Sequence, residues 1–273
     1  MLTWRKLTSA KWEDAWMERL QCVGATRLVV VRLPSRKSLR IEAYALTRKE
    51  ADALERQFGG QIREIKDKPV SEPVARKPLA IRDRLWVTDS PETAQTLDDS
   101  RPVLIIPAAM AFGTGDHATT ASCLRLLCDV AEAQSGPWDF LDLGTGSGIL
   151  AIAARKLGAR KVEGCDFDPH AVRTAKANVA LNHAGPIPIR KQDVLQWTPP
   201  RTWDVVAANL FSQVLIQASP AIAAAVRPGG ALILSGILLI QEKEIVAAFQ
   251  KLGFTFQNVV RKGKWVTLQA LRR

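Results

Sequence analysis

The chain has 273 residues, 47% hydrophobic and 24% charged, which suits a soluble globular protein of one large domain or two modest ones. No apolar run spans a bilayer, the opening MLTWRKLTSAKWEDAW is too charged for a signal peptide, and the four cysteines form no CxxC or zinc spacing, so reduced thiols and a cytoplasmic location are expected. The net charge of +11 is uneven: residues 1–85 hold 19 Lys and Arg against 11 Asp and Glu, a surface that attracts polyanions such as RNA or is simply solvated.

Residues 1–66 read as a small α+β unit. A short strand from Trp4 to Leu7 precedes a helix near 10–22, with Trp12, Trp16 and Leu20 on one face. The β-branched run TRLVVVRL and the alternating SLRIEAYAL, joined by PSRKS, predict a hairpin. Thr47 stands three residues before Glu50, the capping-box spacing for a helix TRKEADALERQF, and Gly59-Gly60 ends it before a strand QIREIK. The order β-α-β-β-α-β is that of a ferredoxin-like unit. In 67–78, prolines 69, 73 and 78 exclude a continuous helix and mark a linker.

Residues 79–273 read as an α/β domain. Two short strands, AIRDRLWVTD and PVLIIPA, lead to a helix from Thr119 to about Ala133. Strand-like runs (WDFLDLG, KVEGCDF, WDVVAANL, GALILSGIL) then alternate with helical ones, which predicts a mainly parallel sheet. The tail FTFQNVVRKGKWVTLQAL is a hairpin turning near Gly263.

Two glycine loops stand close together. In LDLGTGSGILAIAA, Gly144, Gly146 and Gly148 lie between a strand and a helix, where the backbone can bend sharply and helix N–H groups are free. A dinucleotide fingerprint would need its third glycine where Ile149 stands, which weakens that reading. D-x-G-x-G-x-G instead resembles the first motif of class I S-adenosylmethionine-dependent methyltransferases; an ordinary turn is the competing account. Asp166 ends the next strand, where a carboxylate can accept from both ribose hydroxyls. Asp168, followed by Pro169, suits a helix cap. Asp193 after the third strand fits an adenine contact or a turn equally. Asn209 ends the fourth strand at the edge where open α/β sheets bind ligands, although asparagine also forms turns there. His117, His170 and His183 sit in no metal-ligand pattern, and no metal is expected.

The other loop, Ala111-Phe112-Gly113-Thr114-Gly115-Asp116-His117-Ala118-Thr119-Thr120, together with DLGTGSGILAIAARKLGA, GCDFDPHAV, AKANVALN, VAANL and LSGIL, resembles the PrmA family. These are bacterial methyltransferases that modify the large-subunit ribosomal protein numbered eleven. The resemblance is close over 79–241 and reaches the N-terminal unit only in outline. It implies a class I (Rossmann-like) methyltransferase domain with a mainly parallel seven-stranded sheet, behind an N-terminal substrate-recognition domain. It further implies S-adenosylmethionine as cofactor, lysine or amino groups of a ribosomal protein as acceptor, rRNA contact through the basic N-terminal unit, and a monomer away from membranes.

By the same resemblance, Gly144 and Gly146 form the floor under the cofactor and Asp166 holds its ribose. The first loop would cover it, with Phe112 against the ligand, Gly113 and Gly115 allowing close approach, and Thr120 hydrogen-bonding from a helix start. Asn209 would both touch the cofactor and hold the acceptor amine, and His117 would order the loop. The chain departs from the family at Pro107-Ala108-Ala109, Asp116, Ala118 and Leu210-Phe211. Asp116 and Phe211 border the expected substrate entrance. Two alternatives stay open: a lysine methyltransferase for another basic or RNA-bound protein, and a non-enzymatic RNA-binding module. A nucleic-acid amino-methyltransferase, which usually carries Asn-Pro-Pro-aromatic, fits Asn209-Leu210-Phe211-Ser212 poorly.

Overall fold

Period-two patterning in the first sixty residues folds as an antiparallel sheet in the computed structural model of the chain. The structure describes residues 2–12, 15–16, 19–20, 23, 27–32, 38–64, 77–97, 100–107 and 117–273. The chain divides into two units, Met1–Val74 and Ala75–Arg273. In the first, β1 (Leu2–Ser9), β2 (Leu28–Arg32), β3 (Ser38–Leu46) and β4 (Gln61–Glu64) lie in the order β2-β3-β1-β4, every neighbour antiparallel. Alternate residues Leu39, Ile41 and Ala43 of β3 point into one core, with Trp4 of β1 and Ala51 and Leu54 of helix α1 (Arg48–Phe58).

Trp16 and Leu20 are buried in that core as the expected helix face requires, but Trp12 is 52% exposed. The reason is local: Ala10–Trp12 is a 3-10 turn, and its tighter winding breaks the 3.6-residue register. Residues 13–14, 17–18 and 21–22 of that expected helix, and most of the linker at 67–78, lie outside the described residues.

The second unit opens with a small sheet of β5 (Leu79–Ile81), β6 (Leu85–Thr88) and β7 (Val103–Ile105), with a short helix α2 (Pro91–Gln95) before β7. AIRDRLWVTD, expected as one strand, is a hairpin, because Arg82 takes a left-handed turn at φ 50°. There follow α3 (Ala118–Glu132), β8 (Asp139–Leu143), α4 (Ile149–Lys156), β9 (Lys161–Asp166), α5 (Pro169–Leu181) and β10 (Ile189–Lys191). Then come β11 (Trp203–Asn209), α6 (Ser212–Gln217), α7 (Ser219–Ala225), β12 (Val226–Leu238), α8 (Glu242–Lys251), β13 (Phe254–Lys262) and β14 (Trp265–Arg272).

The large sheet runs β10-β9-β8-β11-β12-β14-β13, parallel except for β14, which is antiparallel to both neighbours. Strands buried on both faces explain the near-continuous apolar runs. Val205 and Ala207 of β11 pack with α3, α4 and α5, while Val206 and Ala208 pack with α6, α7 and α8. The strand order reverses between β8 and β11, and the carboxyl ends at such a reversal are where open α/β sheets hold their ligand crevice.

The first unit carries a checkable electrostatic clasp. Thr47 Oγ1 accepts the Glu50 N–H at 3.3 Å, and the Glu50 carboxylate accepts the Thr47 N–H at 2.7 Å, completing the capping box. Arg27 forks both Glu50 oxygens at 2.9 Å, and that guanidinium is the main reason the carboxyl is held down at about 2. A lowered acid stabilises the fold above its ordinary value near 4.5, and the benefit is lost as pH falls towards 2. Denaturant titrations should therefore show wild-type stability falling more steeply than that of Glu50→Gln between pH 5 and pH 2.5. Thr47→Ala should cost about 1 kcal/mol at pH 7.

Candidate functional site

The site begins where the fully buried strand DFLDL runs out. Gly144, Gly146 and Gly148 all adopt positive φ, at 69°, 54° and 82°. A side chain on Gly144 would strike that of Leu210, and one on Gly148 would press on Ala175 of α5 at 3.2 Å. Both positions thus favour glycine for their positive φ, and a side chain at either would also push its neighbour aside. The loop between them is pinned from several sides. Thr145 donates its hydroxyl to Asp142 at 2.6 Å and its N–H to the Cys165 carbonyl at 2.9 Å. From α5, the buried Asn178 amide donates to the Ser147 carbonyl at 2.8 Å.

Asp166 ends β9 beside this loop and is 8% exposed. Its Oδ2 accepts the Gly146 N–H at 2.9 Å, and its Oδ1 accepts the Asp168 N–H at 3.0 Å. Each oxygen keeps a second lone pair. Burial raises its carboxyl above the usual range, against the pull of those backbone bonds. Asp168 is the N-cap of α5, accepting from His170 at 2.7 Å. Asp193 caps a short 3-10 turn through the Leu195 N–H at 2.9 Å.

Asn209 stands at the end of β11, across the crevice from the glycine loop. Its Nδ2 donates to Thr119 Oγ1 at 3.4 Å. The same hydroxyl lies 2.7 Å from His117 Nδ1, and His117 is the N-cap of α3, stacked edge-on against Trp265 at 5.2 Å. His117 therefore orders a helix start. Thr120 is buried in the first turn of that helix. Two atoms here are sealed from solvent with no hydrogen-bond partner: Thr120 Oγ1 and Asn209 Oδ1. Such orphans cost about 1–3 kcal/mol each unless a ligand completes them. Phe112, Gly113, Gly115 and Asp116 lie outside the described residues.

Sequence reasoning gave no role to four residues that shape the site. Asp142 and Thr119 sit inside quoted motifs and bond Thr145 and Asn209. Asn178 and Asn182 are spaced i,i+4 in AKANVALN, and Asn182 brackets Ile105 of β7, accepting its N–H and donating to its carbonyl, both at 2.7 Å. A polar pair at that spacing within an apolar helix face was the available signal. Among the described residues, no three His, Cys, Asp or Glu converge as metal ligands.

Asp142 offers a test of the pocket's dryness. It is 1% exposed, and burial pushes its carboxyl up to about 7. A raised acid favours the fold below its ordinary value near 3.8, and that benefit is lost as pH rises through about 7. Asn can still accept the Thr145 hydroxyl. In chemical denaturation at pH 5 and pH 8, the drop in stability between the two should be smaller for Asp142→Asn than for wild type.

The family model described as Ribosomal protein L11 methyltransferase (PrmA) matches residues 49–273. A ribosomal protein L11 methyltransferase from Heliobacterium modesticaldum is 40% identical over 171 residues, covering 62% of this chain and 53% of the relative. One from Trichlorobacter lovleyi is 39% identical over 203 residues, covering 72% and 65%. The chain thus spans about half to two thirds of the length of these curated relatives. A crystal structure of ribosomal protein L11 methylase from Lactobacillus delbrueckii subsp. bulgaricus aligns with a TM-score of 0.65 at 29% identity, over 72% of this chain and 100% of that one. The doubly wound sheet, the glycine loop after β8 and the match over residues 49–273 agree: the chain belongs to the ribosomal protein L11 methyltransferase (PrmA) family.

Proposed function

We propose that the chain is an S-adenosylmethionine-dependent protein methyltransferase acting on lysine or other amino groups of a large-subunit ribosomal protein, L11 by the name of its relatives. The observation that carries this reading is the pair of orphaned buried atoms, Thr120 Oγ1 and Asn209 Oδ1, at the mouth of a glycine cradle. They fit a polar ligand lying across the switch point. Gly144 and Gly146 would line its floor, Asp166 would accept its ribose hydroxyls through the spare lone pairs, and Thr120 would complete the contact from α3. Phe112 and Gly113 would form the cover.

The cofactor, when bound, supplies an electrophilic methyl on a sulfonium. The chain's own residues do the positioning, which is most of what such a transfer requires. An amine must arrive neutral, and a free lysine has a pKa of about 10.4, so a water-poor site favours the reactive form. Asn209 Oδ1 would accept an amine N–H and aim its lone pair, while Thr119 fixes the amide through Nδ2.

We read residues 1–66 as a ferredoxin-like substrate-recognition domain, 67–78 as a linker and 79–273 as the methyltransferase domain. The strand order β2-β3-β1-β4, all antiparallel, supports the first assignment. The basic charge of the N-terminal part supports contact with RNA-bound substrate. A monomer in the cytoplasm is part of the same reading; no described helix is long and apolar enough to cross a membrane.

Purified large ribosomal subunits and free ribosomal proteins, incubated with radiolabelled S-adenosylmethionine, should yield one labelled band at protein L11. Asn209→Ala should lower kcat about a hundredfold. Thr120→Val, which keeps shape and loses the hydroxyl, should weaken cofactor binding by about two- to tenfold in calorimetry. Cofactor binding without any labelled ribosomal protein would leave the methyltransferase reading and overturn the target.

A further inference from the structure

Polar groups at the crevice are ringed by apolar ones whose exposure the fold does not require. Phe211 is 37% exposed, Leu239 46% and Ile240 89%. They follow the ends of two adjacent strands, β11 and β12, so they stand on the same sheet edge as Asn209.

Their backbones are tied into one rim. Gln241 Oε1 accepts the Ser212 hydroxyl at 2.7 Å and the Leu238 N–H at 3.3 Å, which joins the Phe211 turn to the Ile240 turn. Leu239 donates its N–H to the Lys264 carbonyl at 2.9 Å, and the next residue, Trp265, packs against His117. His117 leads back through Thr119 to Asn209. The chain of contacts runs from Phe211 to Asn209, with an unpaired amide oxygen at its foot and apolar side chains at its top.

An amine on an aliphatic stem matches that profile: head on Asn209, stem and neighbouring residue on the rim. We propose that Phe211, Leu239 and Ile240 form the docking rim for the polypeptide that presents the methyl-accepting amine, gripping its aliphatic stem and an apolar side chain beside it. Gln241 is the positioning residue that sets the rim. This rests on the reading of the site as a protein methyltransferase and names which residues select the acceptor. The occupant is a polypeptide rather than a second copy of the chain because the rim is continuous with the orphaned oxygen that needs a donor.

The test uses the full chain with ribosomal protein L11 as acceptor, comparing wild type, Ile240→Asn, the double variant Leu239→Asn with Ile240→Asn, and Ile240→Val. Burial of these two side chains predicts that the double variant raises the acceptor KM roughly tenfold to hundredfold. Cofactor affinity measured by calorimetry should stay within about twofold, and Ile240→Val should behave as wild type. Acceptor binding in the presence of S-adenosylhomocysteine, read by calorimetry, should weaken in parallel with KM. Ile240 is nearly fully exposed, so a thermal melt should show the folded variant unchanged. Unaltered acceptor KM and binding in the double variant, beside an active wild type, would overturn the rim alone. A wild type that neither binds nor methylates the acceptor would overturn the functional reading and the rim with it.

Discussion

Leu210 is wedged between two glycines, and the site depends on that fit. Its side chain fills the space where Gly144 lacks one, and its backbone fills the space where Gly236 lacks one. Both glycines hold positive φ, at 69° and 80°. The ends of β8, β11 and β12 are thereby drawn together closer than side chains permit. The residue before Leu210 is Asn209, so the wedge fixes the backbone that carries the Asn209 amide. The Leu210 N–H donates to the Ser235 carbonyl at 3.1 Å, where the β12–β14 pairing slips out of register between Leu234 and Ile237. That irregularity re-aims the strand end, as bulges beside functional sites commonly do.

The carboxylates beneath the loop follow from the same crowding. Asp142 and Asp166 are both buried, and beyond the effect of burial the charge of Asp166 raises the proton affinity of Asp142 while that of Asp168 raises the proton affinity of Asp166. Their hydrogen bonds differ: Thr145 bonds one oxygen of Asp142 and leaves the other unpartnered, while two backbone N–H groups bond Asp166. A buried acid with several donors costs less than a bare one and locks the donors in place. The glycine loop is therefore tied by hydrogen bonds to β8, β9 and α5 although its residues are the most permissive available.

Much of this was legible in the chain because it obeys local rules. The capping box at Thr47, the cap at Asp168, the strand SLRIEAYAL and the hairpin at Gly263 are set by neighbours a few residues away. The count of seven mainly parallel strands needed more than periodicity and came from the resemblance, while their order is seen only in the fold. Features made by long-range contact stayed invisible. Asn209 meets Thr119 across 90 residues and Asn182 meets Ile105 across 77, distances over which sequence spacing carries no information. Trp12 escaped its expected face because a 3-10 turn follows different geometry from the helix the pattern implied.

The two edges of the large sheet differ in how their charged groups are placed. At the amino ends, Asp139 pairs with Arg160 and Arg201, Glu163 with Arg190 and Arg201, and Asp204 with Arg227. Charges there satisfy one another, and the one buried atom left without a partner at the start of β11 is the uncharged Trp203 Nε1. At the carboxyl ends, Thr120 and Asn209 each bury a polar atom without a partner, and Phe211 and Ile240 face solvent. Evolution for stability alone would remove both faults, since a hydroxyl-to-methyl change at Thr120 or a polar residue at position 240 is a single substitution. Unpartnered buried atoms occur elsewhere in the chain, Thr88 Oγ1 and Trp203 Nε1 among them, but at this edge they coincide with exposed apolar side chains where the strand order reverses, a combination that suits a bound ligand.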